Sequence, residues 1–87
     1  MQIPNEVFPV EVRDKEGVKF SGNCRAVTSF DAKGPFDVLG HHANLIAVIQ
    51  KQLIVNEESG QVSKIDVETG VLQVENGKVK VFLGKIK

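Results

Sequence analysis

The segment VLQVENGKVKVF constrains the fold of this chain more than any other. Asn76-Gly77 separates two runs in which apolar and polar residues alternate, and Asn-Gly is the strongest short-range signal for a two-residue β-hairpin turn. Such a turn places Val74 opposite Val79, so that one face of the hairpin is apolar. On the other face Glu75 lies opposite Lys78. This register is supported because apolar residues meet apolar residues and charges meet opposite charges.

Short apolar runs separated by turn residues continue along the whole chain. The eight glycines divide runs rich in Val, Ile, Leu and Phe, and turns at intervals of about 8 to 12 residues are typical of β-sandwiches and barrels. Another hairpin is predicted in VEVRDKEGVKF, with a three-residue loop Lys15-Glu16-Gly17 and with Val12 opposite Phe20. No run has the periodicity of an amphipathic helix. The sequence therefore predicts a single all-β domain over residues 1–87, with about eight to ten short, mostly antiparallel strands.

Breaks between the central strands are predicted from residues that disfavour regular structure. Gly34-Pro35 in DAKGP indicates a loop, followed by a short strand FDVL and a turn GHH. In the apolar run ANLIAVIQKQLIV, the β-branched residues favour two strands, one on each side of Gln50-Lys51. The strand VSKIDVE is predicted to end at Thr69-Gly70.

Charge and cysteine content exclude several functional classes. The chain has 11 basic and 11 acidic residues and lacks the basic cluster that binding to nucleic acid or an anionic membrane requires. The single cysteine, Cys24, cannot form an internal disulfide, which favours a reducing compartment. The first residues lack the features of a secretory leader, and no apolar run approaches the ~20 residues of a membrane span. A cytoplasmic location is expected.

Two adjacent histidines, His41 and His42, lie close to Asp37 in the sequence, and Cys24 lies upstream. These residues raise the alternatives of a metal site and of a thiol nucleophile with a histidine base. Adjacent histidines on an extended backbone point to opposite sides, whereas a zinc site needs three or four ligands at defined spacing. The residues around Cys24 do not have the pattern of a known nucleophile. We expect a structural role for these residues, with no catalytic residue, no metal and no cofactor.

The region around the two histidines also resembles a motif of a known family. GPFDVLGHHANLIAVI resembles the central motif of the N-terminal β-sandwich domain of the ATP synthase epsilon subunit, which reads G-x-x-G-V-L-P-x-H-A-P-L. IDVETGVLQVENGKVKVFL is similar to the closing strands of that family, and VEVRDKEGVKFSGNCRAVTSF is similar to its opening hairpin and third strand. The resemblance extends from Val7 to Leu83. It implies a small β-sandwich and places His42 in a turn, at the position of a histidine that is not catalytic.

The sequence departs from the motif at three places. Gly40 and Asn44 replace both prolines, which makes the turn less rigid. Lys51-Gln52 replaces a glycine, so the local turn is expected to differ. The family continues into a C-terminal helical hairpin that carries an inhibitory arm and, in some bacteria, an ATP-binding motif. Because the sequence ends at Lys87, neither function is carried over.

The resemblance implies a non-catalytic binding module of the rotary ATP synthase central stalk, which supports proton-coupled ATP synthesis. Its expected partners are the gamma subunit and the c-ring, with neither nucleic acid nor a small-molecule substrate. The module would be cytoplasmic, or peripheral on the cytoplasmic face of the inner membrane. The expected contact surface is formed by exposed apolar residues around Phe36, Val38, Leu39 and His42, with the outer face of the last hairpin. The alternative is a stand-alone β-sandwich interaction domain unrelated to the rotary complex.

Overall fold

The computed structural model describes residues 6–40 and 43–86. This part of the chain forms six β-strands and no helix. The strands are β1 (Phe8–Asp14), β2 (Gly17–Asp31), β3 (Gly34–Leu39), β4 (Leu45–Glu57), β5 (Val62–Glu75) and β6 (Lys78–Ile86).

The strands form a two-layered β-sandwich because β2, β4 and β5 are long enough to take part in both layers. The strand order is β1-β6-β5-β4-β2-β3, and β1 also pairs with β2. The first sheet consists of β3 and of residues 26–31, 50–57 and 62–67 of the long strands. The second sheet consists of β1, β6 and residues 17–24, 45–49 and 70–75 of the long strands. All pairings are antiparallel except that of β1 with β6.

The all-β sandwich is confirmed, but the described residues form six strands and not eight to ten. The residues that were interpreted as turns, Gln50-Lys51 and Thr69-Gly70, lie at register shifts inside β4 and β5. A β-bulge bends a strand without ending it, which lets one strand pass from one sheet to the other. Lys51 has φ of 71°, a conformation that glycine adopts readily.

Both predicted hairpin registers are confirmed. Val74 pairs with Val79 and Glu75 pairs with Lys78, across a turn in which Asn76-Gly77 has positive φ at both residues. In the first hairpin, Val12 pairs with Phe20 as predicted. The turn, however, has two residues instead of three, and a bulge between the two strands accommodates the remaining residue.

The segment DAKGP contains a turn at Ala32-Lys33, but the prediction that Gly34-Pro35 is part of the loop is wrong. Gly34 begins β3, and Pro35 pairs with Phe30 of β2. Proline is tolerated here because β3 pairs only with β2 among the described strands, and an edge strand does not require every N–H group. The strand FDVL is confirmed as the end of β3.

The core lies between the two sheets and consists mainly of β-branched and leucine side chains. Ser29 is buried with them. Its hydroxyl donates a hydrogen bond to the main-chain carbonyl of Gln52 at 2.8 Å, where the pairing of β2 with β4 is irregular. This bond satisfies the hydroxyl and so removes the cost of burying it. The buried apolar residues are Phe8, Val10, Val12, Cys24, Val27, Val38, Ile49, Leu53, Val55, Val67, Leu72, Val74, Val79, Val81 and Leu83.

Candidate partner-binding surface

The four residues that the sequence indicated as a contact surface lie in different environments. Leu39, at the end of β3, is 54% exposed. Phe36 is half-buried and packs against the core. Val38 is 1% exposed, so the expectation that it is an exposed contact is wrong: in β3, residue 38 points inward and residue 39 outward, as alternation in a strand requires. His42 lies outside the described residues.

A larger apolar surface covers the outer face of the second sheet. Val48 of β4 pairs with Val71 of β5, and Val71 pairs with Phe82 of β6. Ile46 lies two residues before Val48 on the same face, and is 71% exposed against 66% for Val48. Side chains on one face of paired strands are neighbours. Ile46, Val48, Val71 and Phe82 therefore form one continuous surface, which we call the second-sheet patch.

Beyond the second-sheet patch, the same row continues into polar and charged residues. Phe82 pairs with Arg13 of β1, which pairs with the exposed Val18 of β2. The Arg13 guanidinium donates hydrogen bonds to the Glu11 carboxylate, at 2.7 Å from Nη2 and 3.0 Å from Nε. This geometry holds the guanidinium beside Phe82 at the border of the patch.

The next row on this face contains Lys80, which pairs with Glu11 of β1 and Gln73 of β5. The patch is thus apolar towards β4 and charged towards β1. An apolar centre with a polar rim is the usual arrangement of a protein–protein interface.

The outer face of the first sheet is more polar. The Thr28 hydroxyl donates a hydrogen bond to the Asp37 carboxylate at 2.6 Å, and the Gln52 side-chain amide lies 3.5 Å from the Asp66 carboxylate. Thr28 and Asp37 are paired residues on β2 and β3. The exposed apolar residues on this face, Leu39 and Val62, lie on the two outermost strands of the sheet.

Residues on either side of the connection between β3 and β4 have close neighbours. Before it, a side chain at Gly40 would place its Cβ 2.7 Å from two side-chain carbons of Glu6. After it, the Asn44 side-chain oxygen accepts a hydrogen bond from the Asn76 main-chain N–H at 3.0 Å. Asn44, which replaces one of the two prolines of the motif, thus makes a contact that positions the start of β4 and, with it, Ile46.

The structure does not assemble the thiol and carboxylate into a reactive site. Cys24 is fully buried, and burial, followed by the nearby Glu57 carboxylate, raises the pKa of its thiol to about 11. The Asp37 carboxylate accepts a hydrogen bond from the Thr28 hydroxyl. His41 and His42 lie outside the described residues. Within residues 6–40 and 43–86, no group of three or more His, Cys, Asp or Glu side chains could hold a metal ion.

Comparison with known proteins identifies the family. The sequence model described as "ATP synthase, Delta/Epsilon chain, beta-sandwich domain" matches residues 7–86, nearly the whole chain. The chain belongs to this family. An ATP synthase epsilon chain of Endomicrobium trichonymphae is 32% identical over 74 residues, which are 85% of this chain and 54% of that protein. The epsilon chain of Sulfurimonas denitrificans is 29% identical over 75 residues, 85% of this chain and 58% of its own length.

Chains in two solved structures share the fold. A chain in the mitochondrial ATP synthase of Euglena gracilis, in a structure of its OSCP, F1 and c-ring, has a TM-score of 0.82 at 18% identity and is covered over 56% of its length. A chain from the central stalk and c-ring of the Tetrahymena thermophila mitochondrial enzyme has a TM-score of 0.77 at 13% identity. It matches 91% of this chain and 64% of itself. The chain spans about half the length of the curated relatives it matches.

The sequence analysis expected contacts at the end of β3 and on the outer face of the last hairpin. The register puts Val71 and Phe82 on that outer face, together with Glu75 and Lys78. The contribution of Ile46 and Val48 from β4 to the patch was missed. The part of the chain that the structure describes has no helix long and apolar enough to cross a membrane.

Proposed function

We propose that this chain is a non-catalytic β-sandwich module of an ATP synthase central stalk that contacts the gamma subunit and the c-ring. The observation that carries the proposal is the second-sheet patch, an exposed apolar surface on a domain of the delta/epsilon family. Curated relatives of similar sequence include ATP synthase epsilon chains, and similar folds occur in solved complexes with a c-ring.

The two partners would use two separate surfaces. The second-sheet patch is the broader one, and its apolar centre and charged border suit a firm contact with the gamma subunit. Leu39, at the end of β3 in the first sheet, marks a second surface for the c-ring, where His42 and the half-buried Phe36 remain proposed contacts. A module that transmits torque between two bodies requires surfaces that do not move relative to each other.

The sandwich supplies this rigidity. Three strands belong to both sheets, so sliding of one sheet over the other would break their hydrogen bonds. Close packing of the buried side chains also resists deformation. In this function the chain supports proton-coupled ATP synthesis by connecting subunits. It would lie at the cytoplasmic face of the inner membrane as part of the complex, without inserting into the bilayer.

The test is binding to a catalytic complex that contains gamma and has been depleted of its own epsilon subunit. We expect the chain to co-elute with the complex. Replacement of Val71 by Lys together with Phe82 by Glu should weaken binding at least ~30-fold, the effect of losing one strong interface residue. ATP hydrolysis is measured in the same samples, and the chain by itself should hydrolyse no ATP.

Val62→Lys is the matched control, because Val62 is 49% exposed, close to the 48% of Phe82, but lies in the first sheet. It should bind gamma like the unchanged chain. If the unchanged chain does not associate, the central-stalk proposal fails and the stand-alone interaction domain becomes the better hypothesis. If Val62→Lys weakens binding and the patch variant does not, the surface has been assigned to the wrong sheet.

A further inference from the structure

The strand edges of the sandwich differ in how well they are protected. Each sheet has two outer strands, whose outward N–H and C=O groups pair with no other described strand. In the first sheet these are β3 and residues 62–66 of β5. In the second sheet they are residues 17–23 of β2 and residues 45–49 of β4. Unpaired edges can recruit a further strand, and proteins usually block this with charges, proline or short strands.

Three of the four edges carry such protection. The β3 edge is short and contains Pro35 and Asp37, the β5 edge contains Lys64 and Asp66, and the β2 edge contains Lys19. The fourth edge, LIAVI, contains neither charge nor proline, and no charged residue occurs from position 43 to position 50. Its outward side chains, Ile46 and Val48, have the highest exposure among the exposed large apolar residues that the structure describes.

The fourth edge is also complementary to itself. If two copies align antiparallel about Ala47, Ile46 of each copy lies opposite Val48 of the other, and Leu45 lies opposite Ile49. Ile46 and Val48 are both outward-facing, whereas Leu45, Ala47 and Ile49 are more buried. In this alignment exposed residues therefore lie opposite exposed residues, and more buried residues opposite more buried ones. Opposed β-branched residues stabilise antiparallel strands, and this pairing places no like charges opposite each other.

We propose that the free chain forms a two-fold dimer by antiparallel pairing of its β4 edges at residues 45–49, which joins the second sheets of two copies into one continuous sheet. The contact has five residues from each copy, fewer than the ~20 to 30 of a standard interface, so dimerisation is weak and depends on concentration. A two-fold contact uses the same surface of both copies, so the assembly is complete with two copies. The proposal does not depend on the central-stalk function, because it concerns only the association of the free chain with a second copy of itself.

Sedimentation velocity of the 87-residue chain, from low micromolar to near-millimolar concentration, measures the monomer–dimer equilibrium directly. We expect a reversible shift from monomer to dimer, without larger species. Amide hydrogen exchange in residues 45–49 should slow as concentration rises. A monomer at every concentration, or open-ended aggregation, would overturn the proposal.

Two double variants test the register at positions that are exposed and tolerate charge in the monomer. Ile46→Lys with Val48→Lys places like charges opposite each other and should weaken the dimer about tenfold or more. Ile46→Glu with Val48→Lys places opposite charges there and should dimerise more strongly than the double lysine variant. Equal dimerisation by the two variants would contradict this register.

Phe82→Ser distinguishes edge pairing from stacking of the second-sheet patches. Phe82 lies on β6, two strands away from the β4 edge, so edge pairing predicts an unchanged dimer. Loss of the dimer in this variant would mean that the copies associate face to face and that the proposal is wrong. Melting temperatures of all variants verify that each remains folded.

Discussion

The two sheets share three strands but present different outer surfaces. The first sheet is covered by polar pairs such as Thr28 with Asp37, whereas the second exposes Val48, Val71 and Phe82 in one row. Both sheets bury similar aliphatic side chains on their inner faces. Burial of inner-face side chains therefore stabilises the two sheets in the same way. The exposed apolar side chains on the outer face of the second sheet are not part of this core. This difference is the reason for assigning the main binding surface to the second sheet.

The largest effect is expected from comparing the inner and outer faces of a single strand, β5. Leu72 is fully buried, whereas its neighbour Val71 is 40% exposed. Leu72→Ala should lower the free energy of unfolding by about 2 to 5 kcal/mol, because it leaves a cavity in the core. Val71→Ala should change it by less than ~0.5 kcal/mol. Urea denaturation of both variants measures the difference, and a similar loss in both would mean that Val71 also stabilises the fold.

A smaller effect is expected where β5 passes from one sheet to the other. A Cβ added at Gly70 would lie 2.8 Å from the main-chain oxygen of Phe82 and 3.3 Å from a side-chain carbon of Ile49. Because a backbone atom cannot move aside easily, Gly70→Ala should destabilise the domain by about 3 kcal/mol, at the upper end for overpacking.

Glu68→Ala, at an exposed position of the same strand, provides the control for Gly70→Ala and should be nearly neutral. The free energy of unfolding of both variants is measured by chemical denaturation. A neutral Gly70→Ala would mean that the close contact between β5 and β6 does not determine where the strand bends.

The sequence predicted local features better than the passage of strands between sheets. The register at Asn76-Gly77 was predictable because the turn and the alternation of side chains are both local signals. Gln50-Lys51 was misinterpreted because a bulge and a turn both interrupt alternation, and only the partner strand decides between them. Likewise, every residue of LIAVI is apolar, so its sequence cannot indicate that Ile46 and Val48 face outward. Val38 is different, because it follows Asp37 in β3 and alternation with that polar residue indicates an inward position.

The hairpin between β5 and β6 permits a test of the turn itself. Gly77 has φ of 79°, which a β-branched residue adopts only with strain. Gly77→Val should lower the free energy of unfolding by about 1 to 3 kcal/mol. Lys78→Val, at the next position with ordinary strand geometry, is the control and should be nearly neutral. An unchanged melting temperature in Gly77→Val would contradict the two-residue turn.

The smallest effect is expected at Cys24, where the two sheets meet. Cys24 pairs with Phe8 in the second sheet and with Glu57 in the first, and burial, followed by the Glu57 carboxylate, raises the pKa of its thiol from 9.0 to about 11. Above pH 9 the unfolded chain loses this proton while the folded chain retains it. Stability from this group is therefore fully present below pH 9 and is lost as the pH rises towards 11.

The difference between the original chain and Cys24→Ala isolates this contribution, because the rest of the sequence is the same in both. We expect the stability of the original chain relative to the variant to decrease as the pH rises from 9 to 11, measured by urea denaturation at each pH. Below pH 9 the difference should be constant, and iodoacetamide should modify the folded chain much more slowly than the denatured chain. Rapid alkylation of the folded chain at pH 8, or a difference that does not depend on pH, would mean that the junction between the sheets opens to solvent.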